Sequence, residues 1–153
     1  MSPLREDGFL GGRLRIAQPV RGYRAGADAV MLAAACPARA GESVLELGCG
    51  AGVAMLCLAL RVPGIALSGL EVQAEYADLA RRNAAANGIP ARIHEGDLTE
   101  MPAELRAVAF DHVIANPPYF TAGTTAPETG RGLARHEVTP MAAWIDAALR
   151  RLR

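Results

Sequence analysis

The sequence contains no lysine, and all 16 of its basic residues are arginines. They are balanced by 16 acidic residues, so the formal net charge is zero and whole-chain electrostatics do not favour a polyanionic partner. A nucleic acid would therefore need a local basic patch. Residues 1–40 carry six arginines against three acids, an excess that could form such a patch or a merely solvated surface.

Long hydrophobic runs are also absent, since none approaches the roughly 20 residues that a transmembrane helix needs. No apolar segment follows the charged residues 5–7 as it would in a signal peptide. We therefore expect a cytoplasmic protein without membrane contact. The three cysteines, Cys36, Cys49 and Cys57, include no Cys-x-x-Cys pair, so we expect neither a disulfide framework nor a metal site.

The pattern of apolar residues predicts one α/β domain, with a hairpin and leader over 1–25 and a core over 26–153. Strands alternating with helices predict βαβ units, which form a parallel sheet with helices on both faces. The predicted strands lie at 9–16 (the hairpin), 43–47, 65–70, 91–94 and 108–115. Helices are predicted from Asp28 toward Pro37, from the glycines after residue 47 to Arg61, over 73–87, and from a cap at Thr139 to about Leu152.

A glycine-rich turn follows the strand at 43–47, with Gly48, Gly50 and Gly52 in alternation. Glycine lets the backbone pass against a ligand without a Cβ in the way. In a merely structural turn, three glycines would weaken the helix start for no gain. The Glu-x-Gly-x-Gly-x-Gly spacing also differs from the dinucleotide fingerprint, which would require its third glycine at Val53.

Two acids stand where the next strands end, and parallel sheets bind ligands at the carboxyl ends of their strands. Glu71, 23 residues after Gly48, could accept hydrogen bonds from ribose hydroxyls, or could complement a helix N-terminus. Asp97 could accept from an exocyclic adenine amine, or could cap a short helix that begins near Thr99.

The strongest signal is Asn-Pro-Pro-Tyr at 116–119, directly after a buried strand. Two prolines remove two backbone donors, which makes this segment poor material for an ordinary turn. It suits the methylation of a planar amine, whose N–H groups the Asn116 amide oxygen and the Pro117 carbonyl can accept. Pro118 stiffens the segment, and Tyr119 offers a face for stacking. Positioning of this kind needs no strong general base.

Taken together, these motifs resemble the class I S-adenosylmethionine-dependent methyltransferases, which have a Rossmann-like core. Within them the sequence is similar to the bacterial adenine-N6 methyltransferases of tRNA for valine, through residues 116–119, the leader at 18–30 and the Ala-Arg-His-Glu run at 134–137. The resemblance implies S-adenosylmethionine as cofactor. It implies cofactor contacts from Glu46, Gly48, Cys49, Gly50, Glu71, Asp97 and Leu98, and catalytic contacts from Asn116, Pro117, Pro118 and Tyr119. The run at 134–137 is interpreted as structural or phosphate-facing.

Members of that group continue past the helix that follows the fourth strand, with strands that complete a seven-stranded sheet. We therefore expect the C-terminal strands to be absent here and the sheet to have the order three, two, one, four. The fourth strand would then be an exposed edge, with Val108, Phe110, Val113 and Ile114 beside unpaired backbone groups. The helix face of Trp144, Ile145, Leu149 and Leu152 would also be partly uncovered.

Three functions remain open at this stage. The first is methylation of adenine N6 in structured RNA, with tRNA as the partner. The second is methylation of a glutamine side-chain amide in a protein, since Asn-Pro-Pro-Tyr serves that chemistry too. The third is a truncated, non-catalytic fragment that only binds the cofactor.

Overall fold

The computed structural model describes residues 3–118 and 139–153, and a four-stranded sheet lies at its centre. Its strands are β3 (Ser43–Leu47), β4 (Ala66–Glu71), β5 (Ala91–Glu95) and β6 (His112–Ala115), in the order β5-β4-β3-β6. All neighbouring strands are parallel. This is the predicted order three, two, one, four, counted from β3.

Helices cover both faces of this sheet, as predicted. The helices α1 (Ala27–Ala35), α2 (Val53–Arg61) and α3 (Ala74–Ala86) contribute to one apolar core, and α5 (Met141–Leu149) and α4 (Ala103–Arg106) contribute to the other. Strand β3 divides the two cores because successive side chains of a strand point to opposite faces. Val44 is buried in the first core, whereas Leu45 and Leu47 are buried in the second.

The N-terminal hairpin is longer than predicted. Its strands β1 (Leu4–Phe9) and β2 (Leu14–Pro19) pair along their whole length, with Leu4 opposite Pro19. The hairpin was predicted to begin only at Phe9, because the charged residues 5–7 give the first strand no apolar pattern. Asn83 on α3 anchors the hairpin, since its amide accepts from the Ala17 amide N–H and donates to the Ala17 carbonyl.

Strand β6 is shorter than the predicted strand at 108–115. The backbone of Phe110 instead bonds to residues just after α5, donating to the Arg151 carbonyl and accepting from the Arg153 amide. The prediction that Phe110 sits beside unpaired backbone groups is therefore wrong, and the side chains of Phe110 and Ile114 are buried. Val108 is exposed as predicted, as are Ile145, Leu149 and Leu152.

Two predicted helix starts also differ in detail. The residue before α1 is Gly26 rather than Asp28, and the Asp28 carboxylate accepts a hydrogen bond from the Gly26 amide. Pro140 rather than Thr139 precedes α5, a shift of one residue that is ordinary at helix ends. The predicted stop after α3 is confirmed, since Gly88 follows it with φ of 64°. Within the described ranges no helix is long and apolar enough to span a membrane.

Candidate functional site

The glycine-rich loop between β3 and α2 forms one wall of the site. Gly48, Gly50 and Gly52 have φ values of 64°, 53° and 84°, in the left-handed region that side chains with a Cβ rarely adopt. A Cβ at Gly48 would also lie 2.7 Å from Cη2 of the Trp144 indole. The glycines are therefore required by backbone conformation, and Gly48 also by the approach of an aromatic ring.

Glu46 supports this loop from beneath and does not line the cavity. It is buried, and its Oε2 accepts a hydrogen bond of 2.9 Å from the Met55 amide in the first turn of α2. Cys49 is also buried and does not line the cavity, because its Sγ packs against β4 where Gly69 has no side chain. Both residues were predicted to contact a cofactor, and the structure gives both a place in the scaffold of the loop.

Glu71, at the end of β4, joins the loop to the next helix. Its Oε2 accepts from the Gly50 amide at 2.8 Å, and its Oε1 accepts from the Gln73 amide at 2.9 Å. Each carboxylate oxygen has a further lone-pair site. Glu71 lines the cavity, so the residue that braces the loop also presents acceptor oxygens to a ligand.

Burial dominates the electrostatics beneath the loop. It raises the pKa of Glu46 to about 8, against a lowering effect of the Met55 hydrogen bond, and the charge of Glu71 raises it further. Burial also raises the pKa of the Cys49 thiol, with added repulsion from Glu46 and Glu71. Glu46 is therefore largely protonated at neutral pH, and Cys49 is an unreactive thiol.

A cavity of about 270 Å³ opens at the carboxyl ends of the parallel strands, where ligands bind in folds of this class. Asp97 lines it while capping the short 3₁₀ turn at 98–100, since its Oδ1 accepts from the Thr99 amide. The capping interpretation of Asp97 is confirmed, whereas its contact with adenine stays a prediction. Among the described residues, the cavity is lined by Tyr23, Asp28, Gly48, Gly50, Leu70, Glu71, Val72, Gln73, Tyr76, Gly96, Asp97, Leu98, Asn116, Pro117, Pro118, Thr139 and Trp144.

The Asn-Pro-Pro segment after β6 closes the opposite side of this cavity. Asn116 donates from Nδ2 to Oδ2 of Asp28 at 2.6 Å. Asn116, Pro117 and Pro118 thus face the same space as Gly48, Gly50, Glu71, Asp97 and Leu98. Tyr119 and the run at 134–137 lie outside the described residues.

The leader before α1 contributes wall residues that the sequence analysis did not assign. The Tyr23 ring lies against the bare Cα of Gly50, and the Tyr76 hydroxyl donates to the Tyr23 carbonyl at 2.9 Å. Burial raises the pKa of Tyr23, as do the charges of Asp28 and Glu46, against a hydrogen bond with Asn116 that lowers it. The sequence signal for Tyr23 was its position in the leader segment at 18–30, whereas Trp144 was predicted only as part of a helix face.

The predicted basic excess of the N-terminal region is partly neutralised. Arg15 pairs with Glu6, and both Arg5 and Arg24 pair with Asp7. The described part of the chain contains no group of His, Cys, Asp and Glu that could hold a metal ion.

Comparison with known proteins agrees with this arrangement. A tRNA1(Val) (adenine(37)-N6)-methyltransferase of Yersinia enterocolitica is 32% identical over 136 residues, which cover 87% of this chain and 54% of that protein. The Porphyromonas gingivalis protein of the same name is 36% identical over 124 residues, covering 76% and 49%. The chain therefore spans about half the length of these relatives.

Solved structures share the fold. The crystal structure of TrmN from Thermus thermophilus superposes with a TM-score of 0.62 at 24% identity, covering 82% of this chain and 34% of that one. A methyltransferase from Thiobacillus denitrificans, solved with S-adenosyl-L-homocysteine, gives a TM-score of 0.57 at 20% identity, covering 84% and 45%. The model of the methyltransferase small domain matches residues 26–138. This chain therefore belongs to the methyltransferase small domain family, and its fold is that of the Rossmann-like methyltransferases.

Proposed function

We propose that this chain binds S-adenosylmethionine in the cavity and methylates the exocyclic amine of adenine in structured RNA, with tRNA as the substrate. The observation that carries the proposal is the convergence of two sets of residues on one cavity. The glycine loop, Glu71 and Asp97 form one side, and Asn116 to Pro118 form the other.

The residues present fit such a cofactor. Gly48 and Gly50 line the cavity, and their positive φ values hold the loop backbone along its wall. The carboxylates of Glu71 and Asp97 offer acceptors for ribose hydroxyls and an adenine amine. The residues next to these acids in the chain, Leu70, Val72 and Leu98, are apolar and line the same cavity, which suits the faces of a planar base.

The target amine would be bound by the Asn-Pro-Pro segment. S-adenosylmethionine supplies an electrophilic methyl group when bound. The Asn116 amide oxygen and the Pro117 carbonyl would each accept one N–H of the amine, which directs the nitrogen lone pair toward the methyl carbon. Methylation would leave the demethylated thioether in the cofactor site, and the amine would release its surplus proton to water. The chain contributes orientation and preorganised acceptors.

The choice of RNA is supported by the relatives, which carry the name of a tRNA adenine-N6 methyltransferase. It is supported also by the leader and the Asn-Pro-Pro-Tyr segment, which resemble that group. A compartment follows from the substrate, and we propose the cytoplasm.

Cofactor binding is tested by calorimetry with S-adenosylmethionine. Glu71→Ala should weaken binding by roughly 1–3 kcal/mol, because the ribose would lose its acceptor. Glu71→Gln retains one acceptor oxygen, which can still bond to the Gly50 amide of the loop. Comparing it with Glu71→Ala distinguishes weaker binding caused by a lost ligand contact from weaker binding caused by a disturbed loop. The matched control is Glu75→Ala, an exposed acid four residues further on that does not line the cavity. Equal affinity of the wild type and both Glu71 variants would remove this residue from the site.

Methyl transfer is tested with radiolabelled cofactor on bulk tRNA and on bulk protein in parallel, followed by identification of the labelled product. We expect N6-methyladenosine, and we expect Asn116→Ala to lower turnover much more than cofactor affinity, because its amide acts on the target nitrogen. Label on the glutamine side chains of protein would instead favour methylation of a protein substrate. Cofactor binding without label in either pool would favour a non-catalytic fragment.

A further inference from the structure

Asp28 contacts the Asn-Pro-Pro segment from a distant part of the chain. It lies at the start of α1, 88 positions before Asn116, and its Oδ2 accepts a hydrogen bond of 2.6 Å from Asn116 Nδ2. Both residues line the cavity. The contact therefore joins the leader to the end of β6 at the site itself.

The chemistry of this pair fixes the orientation of the Asn116 amide. Burial raises the pKa of Asp28, but the hydrogen bonds from Gly26 and Asn116 lower it more, so the net pKa lies below its ordinary value. Asp28 is therefore a carboxylate at neutral pH, which accepts hydrogen bonds and donates none. Only the NH₂ group of Asn116 can face it, and Oδ1 is directed away from Asp28.

The carboxylate is itself held in place. Its Oδ1 accepts from the Gly26 amide at 2.9 Å, so its two oxygens bond to two different segments. The Asn116 amide is thus fixed by a carboxylate that is itself anchored to the backbone before α1.

We propose that Asp28 is a positioning residue for methyl transfer, holding the Asn116 amide with its oxygen toward the target amine. The inference rests on the proposed function. Without Asp28, the amide can turn by 180° with almost no change in shape, and its NH₂ group would then meet the N–H of the amine. Removing the carboxylate should therefore affect turnover and leave cofactor binding in place.

The contact is tested directly by nuclear magnetic resonance of the chain labelled with ¹⁵N-asparagine. The sequence has three asparagines, Asn83, Asn87 and Asn116, so the spectrum contains three side-chain amide pairs. Asp28→Ala should move the Asn116 pair and leave the other two in place, and Asp78→Ala, an exposed aspartate on α3, should move none of them. Asp28→Ser shortens the side chain so that it cannot reach the Asn116 amide, and it replaces the alanine variant if that variant does not fold. An Asn116 pair that stays in place overturns the proposal.

Turnover on tRNA separates positioning from support of the fold. We expect kcat to fall roughly tenfold or more in Asp28→Ala, while cofactor affinity stays within about twofold, because Asp28 is not among the proposed cofactor contacts. Asp28→Asn should retain kcat within about threefold, because a neutral hydrogen bond is weaker than a charge-assisted one but still formed. Wild-type kcat in Asp28→Ala, or an equal loss of turnover and cofactor affinity, refutes the positioning role. A wild-type chain that binds cofactor but methylates no adenine refutes the proposed function and the role of Asp28 with it, whereas the amide signals still decide the contact.

Discussion

The buried carboxyl of Glu46 should make the stability of this protein fall as pH rises toward mild alkalinity. Its pKa is 4.5 in an unfolded chain and about 8 in the fold, mainly because burial disfavours the charged form. Below 4.5 the carboxyl is protonated in both states, so its contribution is fully present. Between the two values only the folded state keeps the proton, so the free energy of unfolding decreases with pH until the folded pKa is passed.

The magnitude follows from one proton. A single proton difference changes the free energy of unfolding by about 1.4 kcal/mol per pH unit. Over the interval from about pH 5 to about pH 8 the loss therefore reaches up to about 4 kcal/mol, or about 10 °C in Tm for a chain of this size. Asp7 and Asp28 have lowered pKa values, so their contributions change below this interval and do not obscure it.

The assay is urea or thermal unfolding at a series of pH values, comparing the wild type with Glu46→Gln. Glutamine can still accept from the Met55 amide but carries no titrating proton. The free energy of unfolding of the variant should therefore increase relative to that of the wild type as pH rises. The free energy of unfolding of Glu75→Gln, a change at an exposed site, should depend on pH in the same way as that of the wild type. A protonated carboxyl band in the infrared spectrum at neutral pH should disappear in Glu46→Gln. If the free energies of unfolding of the wild type and Glu46→Gln change in the same way from pH 5 to 8, Glu46 is ionised in the fold and the prediction is wrong.

Two further predictions concern the glycine loop and the hairpin. Gly48→Ala should cost roughly 1–2 kcal/mol for its left-handed backbone and should also shift the fluorescence of Trp144, the only tryptophan, because the new Cβ meets its ring. Gly41→Ala, with φ of +88° and open space around it, should lower stability without that spectral shift, and an unmoved emission in Gly48→Ala would contradict the contact. Asn83→Ala should cost roughly 2–4 kcal/mol in urea unfolding, because hairpin and loop backbone groups lose their partners. Asn87→Ala, at a more exposed pair of bonds, should cost less than half of that, and equal costs would refute the ranking.

The sequence by itself determined the succession of strands and helices and a parallel sheet, because alternating strands and helices form βαβ units. The order of the strands within the sheet was implied by the family resemblance. The turn at residues 48–52 and the helix stop at Gly88 could be predicted because their backbone conformations require glycine. The segment at 116–118 was readable because two consecutive prolines restrict the chain.

Only the tertiary structure decided which of these residues meet. Glu46 lies in the same motif as Gly48, yet side-chain alternation along β3 buries it beneath the loop, and the sequence pattern does not distinguish a ligand contact from such support. The charged face of β1 concealed its strand because exposed positions carry no apolar signal. The pairing of Asp28 with Asn116 spans 88 positions, and such a contact depends on how the leader packs across the carboxyl ends of the strands. Local sequence patterns are set by neighbouring residues, whereas a hydrogen bond between distant segments exists only once the sheet has brought them together.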